Sequence, residues 1–283
     1  MISLLMKSPR MMRRRYRNEK IIQHYDSSVD KDLLHNNTLS THGYEIFKID
    51  ELLECGGLSE RLRCSDLRQS PQDNQKVLFS WQLPDFLWQA ILTSEKLSTL
   101  VTEYLGNKAR LDDLYLKTVV DGYDATAEGW HNDNVGYRLK VFMVFDTEGR
   151  PSATVVKPAM RPNLYKVNYG EEFLRTIKII SKQEHQGEVV VNYNPGDCLV
   201  FDTNLAHRGS YNAGTGTRYC IVIEFIDRDK ANALRGIAPC GPRQGRGTLE
   251  IPELIGVNLK EHKLIDTDLL QDCGTNYRYG YTI

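Results

Sequence analysis

The stretch Pro195–Asp227 constrains the fold of this chain more than any other part of the sequence. It opens with a Pro-Gly-Asp turn, continues as the short apolar run Cys198–Phe201, and ends in the longer β-branched and aromatic run Tyr219–Ile226. A Gly-rich turn lies between the two runs, so we predict a hairpin of two strands. His207 then lies where the first strand ends and Arg218 where the second begins. This arrangement indicates a metal ligand beside an anion-binding group.

The length and composition favour a folded protein with a substantial core. A chain of 283 residues suits one large domain with decorations, or at most two domains. Hydrophobic residues make up 41% of the chain and aromatic residues 9%, which is enough to bury a core. The formal net charge of −1 argues against a dedicated nucleic-acid-binding protein, in which a large basic excess is expected. The six cysteines are scattered without a C-x-x-C pair, which predicts a reduced, cytoplasmic protein.

Charge and pattern divide the chain into three parts. Residues 1–38 form a basic N-terminal segment, 39–230 a β-rich domain with N-terminal helices, and 231–283 a C-terminal loop and tail that pack on the same domain. The middle part carries a basic insertion at 158–186, with a helix expected near 171–180. No apolar run approaches bilayer-spanning length. The basic segment either makes a weak peripheral contact with anionic lipid on the cytoplasmic face of a membrane or is a solvated terminus.

The predicted elements are helices first and then a run of strands. A first strand is expected near 44–49, followed by a short helix that Asp50 caps. The polar segment 65–80 predicts a loop, whereas 84–105 has apolar residues at helical spacing. The acidic pair at 112–113 predicts a polar break before the next strand. Further strands are expected at 114–120, 138–145, 153–156, 187–193 and in the two runs described above. This order predicts a mainly β fold with flanking helices, a sandwich or jelly roll.

A metal site is the main functional prediction from the residues. His131 and Asp133 are two positions apart in an extended segment, so their side chains point to the same face. A third ligand must come from elsewhere, and His207 is the natural candidate. Two histidines and one carboxylate leave three open coordination positions, which suits a non-haem Fe(II). The alternatives are a strand-end His131 satisfied by a backbone carbonyl and a His207 that simply lies beside a turn.

Two cationic residues are candidates for binding an anionic cosubstrate. Arg218 follows His207 by eleven residues and opens an apolar strand, where a guanidinium needs an anionic partner. A bidentate dicarboxylate would satisfy it, and so would a structural salt bridge with Glu224 or Asp202. Lys117 lies in an alternating apolar strand and points either into a barrel lumen or to solvent, with solvent the simpler expectation for a lysine.

The set His131-x-Asp133, His207 and Arg218, following a Pro-Gly-Asp turn, resembles the Fe(II)/2-oxoglutarate-dependent oxygenases. Within that superfamily the chain is most similar to the phytanoyl-CoA dioxygenase group, whose usual opening strand resembles residues 43–50. The resemblance runs from about residue 39 to 228. Members of the group commonly have a Pro-Gly-Ser-His-like turn in the middle of the barrel. This chain has Val-Lys-Pro-Ala there instead, which leaves the 158–186 insertion without an assigned role.

The resemblance implies a double-stranded β-helix, the cupin-like barrel form of the jelly roll. It also implies Fe(II) held by His131, Asp133 and His207, with 2-oxoglutarate and O₂ as cosubstrates. Arg218 would bind the distal carboxylate of 2-oxoglutarate, and Lys117 is a second candidate for that cosubstrate. Because the chain keeps a carboxylate where halogenating relatives have a small residue, hydroxylation is the expected reaction, with release of succinate and CO₂. Desaturation and ring closure need the same ligands.

The substrate is expected to be a small or medium anionic metabolite. Candidate substrate residues flank the metal motif or lie in a Gly/Pro-rich basic loop after the barrel: Trp130, Asn134, Arg138, Arg235 and Arg243. That basic loop is otherwise a solvated connector. Two other functions remain open. One is a cupin-type metalloenzyme that uses the same three ligands without 2-oxoglutarate, and the other is a non-catalytic jelly-roll binding module.

Overall fold

The computed structural model describes most of the residues between 38 and 265. The described residues are 38–68, 77–120, 129–132, 138–151, 153–160, 186–210, 216–227, 251–252, 254 and 256–265, together with Met12, Tyr16, Glu19, Lys20 and Gln23. Among them, no helix combines the length and the apolar character needed to cross a membrane. Most of the basic N-terminal segment, and the helix predicted near 171–180, lie outside the described residues.

The strands of the described chain form two antiparallel sheets. They are β1 (Tyr44–Lys48), β2 (Val77–Phe79), β3 (Ala109–Val120), β4 (Arg138–Glu148), β5 (Thr154–Val156), β6 (Val189–Val191), β7 (Asp197–Asp202), β8 (His207–Gly209) and β9 (Thr217–Asp227). The large sheet has the order β1-β7-β4-β9-β3-β2, and the small sheet the order β6-β5-β8. All the pairs are antiparallel, so no crossover helix is needed between neighbouring strands.

Five short helices precede the long strands in the described part of the chain. They are α1 (Thr38–His42), α2 (Ile49–Leu52), α3 (Leu58–Cys64), α4 (Asp85–Thr93) and α5 (Glu95–Leu105). The apolar pattern over 84–105 corresponds to α4 and α5, which Ser94 separates. The Ser94 hydroxyl accepts a hydrogen bond from the Leu97 amide at 3.0 Å and so caps α5. Gly106 ends α5 at φ 104°, a conformation that favours glycine.

Asp50 has a different role from the one predicted. It lies inside α2 rather than at its N-cap. Its carboxylate accepts hydrogen bonds from the backbone amides of Gly57 and Ser59, at 2.8 and 2.7 Å. Asp50 therefore satisfies the first amides of the next helix, α3, which the sequence analysis did not anticipate. These bonds lower the pKa of Asp50 against the opposing effect of partial burial, which is the largest single influence.

The polar break predicted at 112–113 is wrong. β3 continues through both aspartates, and its pairing with β9 shifts register between Leu111 and Asp113. A shift of this kind marks a β-bulge, which inserts one extra residue without ending the strand. Asp112 and Asp113 are both buried. Asp112 is tolerated there because Arg138 Nη1 lies 2.6 Å from its carboxylate.

The predicted hairpin of the Pro195–Asp227 stretch is also wrong. β7 pairs with β1 and β4, and β9 pairs with β3 and β4, so the two strands are not partners. His207 begins a separate strand, β8, which belongs to the small sheet. A tight turn makes the change of sheet, because the Leu205 amide donates to the Asp202 carbonyl at 2.9 Å. The segment thus places His207 opposite the large sheet.

The two faces of the large sheet bury separate apolar clusters. One face packs against the helices and contains residues such as Leu139, Val141 and Ile221. The other face points towards the small sheet and contains alternate residues, among them Val144, Cys220 and Val222, together with Val156 of β5. The side chains of this second cluster line the lumen of a barrel that the two sheets form. The prediction of a mainly β jelly roll with flanking helices is confirmed.

The described residues between 251 and 265 pack against the helix-side cluster of the large sheet. Ile251, Leu264 and Ile265 belong to the helix-side cluster, and the Leu111 amide donates to the Leu264 carbonyl at 2.8 Å. His262 fastens this segment to α4. Its Nε2 donates to the Leu92 carbonyl at 2.6 Å, and its Nδ1 accepts from the Leu264 amide at 3.2 Å. The second bond needs the neutral imidazole, because a protonated Nδ1 cannot accept, whereas the first bond survives protonation.

This contact predicts that the C-terminal segment loosens in mild acid. Burial lowers the pKa of His262 below its usual value, so the folded state favours the neutral ring. The resulting stabilisation is fully present above the unfolded-state pKa of about 6.5 and is lost as pH falls from there through the lower folded-state pKa. We expect the amides of 256–265 to exchange faster as the pH is lowered from 7.5 to 5.5, once each rate has been corrected for the intrinsic exchange rate at that pH. The variant His262→Gln should lack this extra acceleration, and an equal acceleration in both proteins would contradict the assignment.

Candidate metal centre

Backbone hydrogen bonds between the segment 129–132 and β8 bring His131 and His207 together. The His131 amide donates to the His207 carbonyl at 3.0 Å, and the His207 amide donates to the His131 carbonyl at 2.9 Å. This isolated antiparallel bridge places the two imidazole centroids 4.3 Å apart, with the ring planes at 51°. Seventy-six positions separate the two residues in sequence, so only the tertiary fold produces the pair.

Hydrogen bonds to the backbone set the same tautomer in both rings. His131 Nδ1 lies 2.8 Å from the Gly129 carbonyl oxygen, and His207 Nδ1 lies 2.9 Å from the Leu205 carbonyl oxygen. A carbonyl oxygen can only accept, so Nδ1 carries the proton in each ring. The neutral ring then has its lone pair on Nε2, the usual arrangement of a metal-ligating histidine. The contact of His131 with the Gly129 carbonyl was considered above as an alternative to metal binding. Because it leaves Nε2 available, it is compatible with metal binding.

The pair fits two of the three ligands expected for a facial metal site. Two Nε2 atoms that share one metal at about 2.1 Å lie roughly 3 Å apart when they subtend about 90°, which is compatible with neighbouring rings. The third predicted ligand, Asp133, lies outside the described residues. Within the described ranges, no group of three His, Cys, Asp or Glu side chains is close enough to hold a metal ion. Phe201 contacts the His207 ring edge-on at 5.2 Å and makes that side of the pair apolar.

Arg218 is the second residue of β9, and its side chain points into the lumen. Its Nη1 lies 3.4 Å from the Thr154 hydroxyl, and its Cζ lies 5.0 Å from the centroid of the Tyr193 ring. The Tyr193 hydroxyl donates to the same Thr154 oxygen at 3.0 Å. Burial raises the pKa of Tyr193 to about 12, although the Arg218 charge opposes the shift. Tyr193 is therefore neutral at physiological pH and adds no negative charge beside the guanidinium.

The register of the small sheet relates Arg218 to the histidine pair. His207 pairs with Val156, and Thr154 lies two residues away along β5. Two residues of an antiparallel strand span about 7 Å. The carbon chain of a five-carbon dicarboxylate spans roughly 5 Å. A molecule of that length can therefore reach from the histidine pair to the group of Arg218, Thr154 and Tyr193.

Gly216 allows β9 to start where it does. A Cβ added to this residue would lie 2.3 Å from the Glu148 carbonyl oxygen and 2.7 Å from the Pro151 nitrogen. Both neighbours are backbone atoms that cannot move aside, so only glycine permits this close approach. The backbone contact sets the position of Arg218 two residues later.

Lys117 faces the barrel lumen and not the solvent. It pairs with Cys220 across β3 and β9 and shares its face with Tyr115, a member of the lumen cluster. Burial raises the pKa of the Cys220 thiol to about 11, and Arg218, Lys117 and Lys140 all oppose that shift. Three cations therefore favour the ionised form of this buried thiol, although Lys140 is itself paired with Glu224.

Arg138 and Lys140 belong to a buried ion-pair network that sequence analysis missed. Arg138 Nη1 lies 2.6 Å from Asp112 Oδ2 and 2.9 Å from Glu224 Oε2, while Lys140 Nζ lies 3.1 Å from Glu224 Oε1. All four side chains are at most 1% exposed. Arg138, predicted as a substrate residue, thus directs its guanidinium at protein carboxylates. Glu224, considered as a partner for Arg218, pairs with Arg138 and Lys140.

The remaining predicted site residues divide into one described residue and three that are not. Trp130 is buried beside His131, with the Arg208 guanidinium carbon 5.0 Å from its ring centroid. Asn134, Arg235 and Arg243 lie outside the described residues. Sequence reasoning did not select Thr154, Tyr193 or Arg208. Thr154 and Tyr193 carry no motif, but both lie in predicted strands at alternate positions with lumen residues, which is a weak signal.

Comparison with solved structures bears on the fold. HygX from Streptomyces hygroscopicus with iron bound aligns with a TM-score of 0.50 and 12% identity, over 71% of this chain and 88% of that chain. The chain shares the jelly-roll barrel fold of HygX. EctD from S. alaskensis with bound Fe aligns at 0.43 and 14% identity, over 72% and 80% of the two chains. The non-heme alpha ketoglutarate dependent epimerase SnoN from nogalamycin biosynthesis aligns at 0.39 and 15% identity, over 74% and 83%. The sequence matches no protein-family model and no curated protein.

Proposed function

We propose that this chain is an Fe(II)- and 2-oxoglutarate-dependent dioxygenase that hydroxylates a small or medium anionic metabolite. The observation that carries the proposal is the pair of imidazoles His131 and His207, 4.3 Å apart, with Nδ1 of each bonded to a backbone carbonyl. The HygX structure, which has iron bound, supports the choice of metal through its shared fold. Asp133 completes the proposed ligand set.

The proposal gives a role to the predicted ligands and to four described residues of the lumen. His131, Asp133 and His207 would hold Fe(II), which with 2-oxoglutarate and O₂ supplies the oxidising power for hydroxylation and releases succinate and CO₂. Arg218 binds the distal carboxylate of 2-oxoglutarate as a bidentate donor, and the Thr154 hydroxyl lies within reach of the same carboxylate. Lys117 contributes positive charge from β3, the strand next to that of Arg218. Phe201 excludes water from one side of the histidine pair.

The finer assignment is to the phytanoyl-CoA dioxygenase-like group, with hydroxylation as the reaction. It rests on the motif order of the sequence and on the carboxylate retained at Asp133. An anionic substrate is favoured by the positive charge of Lys117, which faces the lumen, and by Arg235 and Arg243 of the basic loop. The basic N-terminal segment 1–38 is proposed as a weak peripheral membrane contact on the cytoplasmic side.

The experiment that tests the proposal is a 2-oxoglutarate titration of wild type and Arg218→Met under anaerobic conditions with Fe(II). The visible metal-to-ligand charge-transfer band reports chelation of the cosubstrate. We expect 2-oxoglutarate to bind roughly ten- to a hundredfold more weakly to the variant, because charge-assisted hydrogen bonds contribute about 1.5–3 kcal/mol. Arg218→Lys should lose less affinity, since the point charge remains but the planar fork does not. Fe(II) affinity without the cosubstrate should not change.

Arg63→Met is the matched control, because Arg63 is an exposed helical arginine paired with Glu60 on α3. It should bind 2-oxoglutarate like wild type. Metal binding without any charge-transfer band in wild type would favour the cupin-type metalloenzyme, which needs no dicarboxylate-binding arginine. Absence of metal binding would favour the non-catalytic binding module.

A further inference from the structure

Arg208 lies on the outer face of the small sheet, next to His207 in sequence. Side chains alternate across a strand, so a lumen-facing His207 sends the Arg208 side chain to the opposite face. There its Cζ lies 5.0 Å from the Trp130 ring centroid, and its Nη2 lies 2.6 Å from Glu188 Oε2. The Arg208 side chain is 4% exposed, so both contacts are shielded from water and from salt.

The contact between Arg208 and Trp130 on the outer face joins the same two segments as the histidine pair on the inner face. Trp130 precedes His131, and Arg208 follows His207. The backbone between these residues is joined by the two hydrogen bonds of an isolated bridge. Asn132 adds one bond from its side-chain amide to the Asn204 carbonyl. A short bridge of this kind has little intrinsic stability, so a desolvated cation–π contact across it is a large share of what holds it together.

Glu188 fixes the guanidinium from the other side. It precedes β6, which is two strands away from β8 in the order β6-β5-β8. Arg208 therefore reaches across β5, where its own partner is Val155, to pair with Glu188. The carboxylate thereby restrains the position of the guanidinium beside the indole.

We propose that Arg208 is a positioning residue that holds the segment 129–132 against β8 and thereby sets the separation of the His131 and His207 imidazoles. The consequence for metal affinity rests on the proposed function, whereas the backbone consequence does not. Loss of Arg208 should loosen the bridge first and weaken metal binding through it. No contact between Arg208 and a substrate is needed for either effect.

The first test is hydrogen exchange of the metal-free protein, read at the His131 and His207 amides. The double variant Arg208→Met, Glu188→Gln removes the ion pair without leaving a buried charge unpaired. We expect exchange of both amides to accelerate on the order of tenfold, with a smaller effect in Arg208→Lys, which keeps the charge and loses the planar guanidinium. Arg68→Met removes another arginine–carboxylate pair, 2.9 Å to Asp146, and should leave both amides unchanged.

The second test is the Co(II) dissociation constant of the same variants. Loss of a residue that orients a metal ligand typically weakens binding by about 10- to 100-fold, so we expect that range for the double variant. The positioning role would be overturned if both amides of the double variant exchanged at the wild-type rate. It would also be overturned if the acceleration in that variant were spread evenly over β3 and β9. Faster exchange with an unchanged Co(II) constant would overturn the link to imidazole separation. If wild type binds no Co(II), the proposed function fails, and the exchange data alone decide the role of Arg208.

Discussion

Replacing His207 with alanine is expected to weaken metal binding by more than about a hundredfold and to abolish turnover. The loss of a residue that merely orients a metal ligand already costs about 10- to 100-fold in affinity, and His207 would be a ligand itself. His207 is also buried, with Nδ1 committed to the Leu205 carbonyl, so Nε2 is the nitrogen that it can offer to a metal. Anaerobic Fe(II) titration in the presence of 2-oxoglutarate measures the effect through the charge-transfer band.

The matched control for this prediction is His42→Ala. His42 is exposed at the end of α1, where its Nδ1 lies 2.8 Å from the Thr41 hydroxyl. Removing its imidazole should leave the charge-transfer band and the Fe(II) affinity unchanged. Retention of tight Fe(II) binding by His207→Ala, with a folded protein by circular dichroism, would sink the assignment of this histidine as a ligand.

The second large effect is expected for Arg138→Met, which should lower the free energy of unfolding by about 3–5 kcal/mol. Arg138 bridges two buried carboxylates, Asp112 at 2.6 Å and Glu224 at 2.9 Å. Methionine fills a similar volume, so the loss is electrostatic. It leaves Asp112 without this cation and Glu224 with Lys140 alone, in surroundings that are at most 1% exposed. Urea denaturation monitored by tryptophan fluorescence gives the measurement.

Lys96→Met provides the comparison for a surface ion pair. Lys96 Nζ lies 2.5 Å from Glu51, but both side chains are well exposed, 37% and 57%. Solvent screening makes such pairs nearly neutral for stability, so its urea midpoint should stay close to that of wild type. If Arg138→Met were as stable as Lys96→Met, the buried ion-pair network would not stabilise the barrel.

Part of the fold and of the candidate site followed from local patterns. Tyr44–Lys48, the long strands after Leu111, and the apolar runs at 198–201 and 219–226 were correctly predicted as strands, because they are rich in the β-branched and aromatic residues that favour strands. The apolar spacing over 84–105 correctly predicted helix, and the helix ends at Gly106, whose positive φ favours glycine. The site residues His131, His207 and Arg218 were selected by type and spacing, and Asp133 remains a prediction.

The errors came where pairing partners are distant in the sequence. The two runs at 198–201 and 219–226 looked like a hairpin, since nothing local shows that residues 203–206 carry the chain from one sheet to the other. The acidic pair at 112–113 looked like a break, since a buried aspartate becomes tolerable only when Arg138 arrives from β4. The local pattern left Lys117 facing either the lumen or the solvent, and only the pairing of β3 with β9 decides between them.

Residue type and local periodicity therefore determined which segments are strands or helices and which side chains have the chemistry for a metal and an anion. Those properties depend on neighbours within a few residues, and the sequence contains them directly. The tertiary structure alone decided the 4.3 Å approach of the two imidazoles, the stack of Arg208 on Trp130 and the burial of the Asp112–Arg138–Glu224–Lys140 network. Each depends on pairing between strands that are far apart in the chain, and the free energy that selects one pairing is the burial of the whole core.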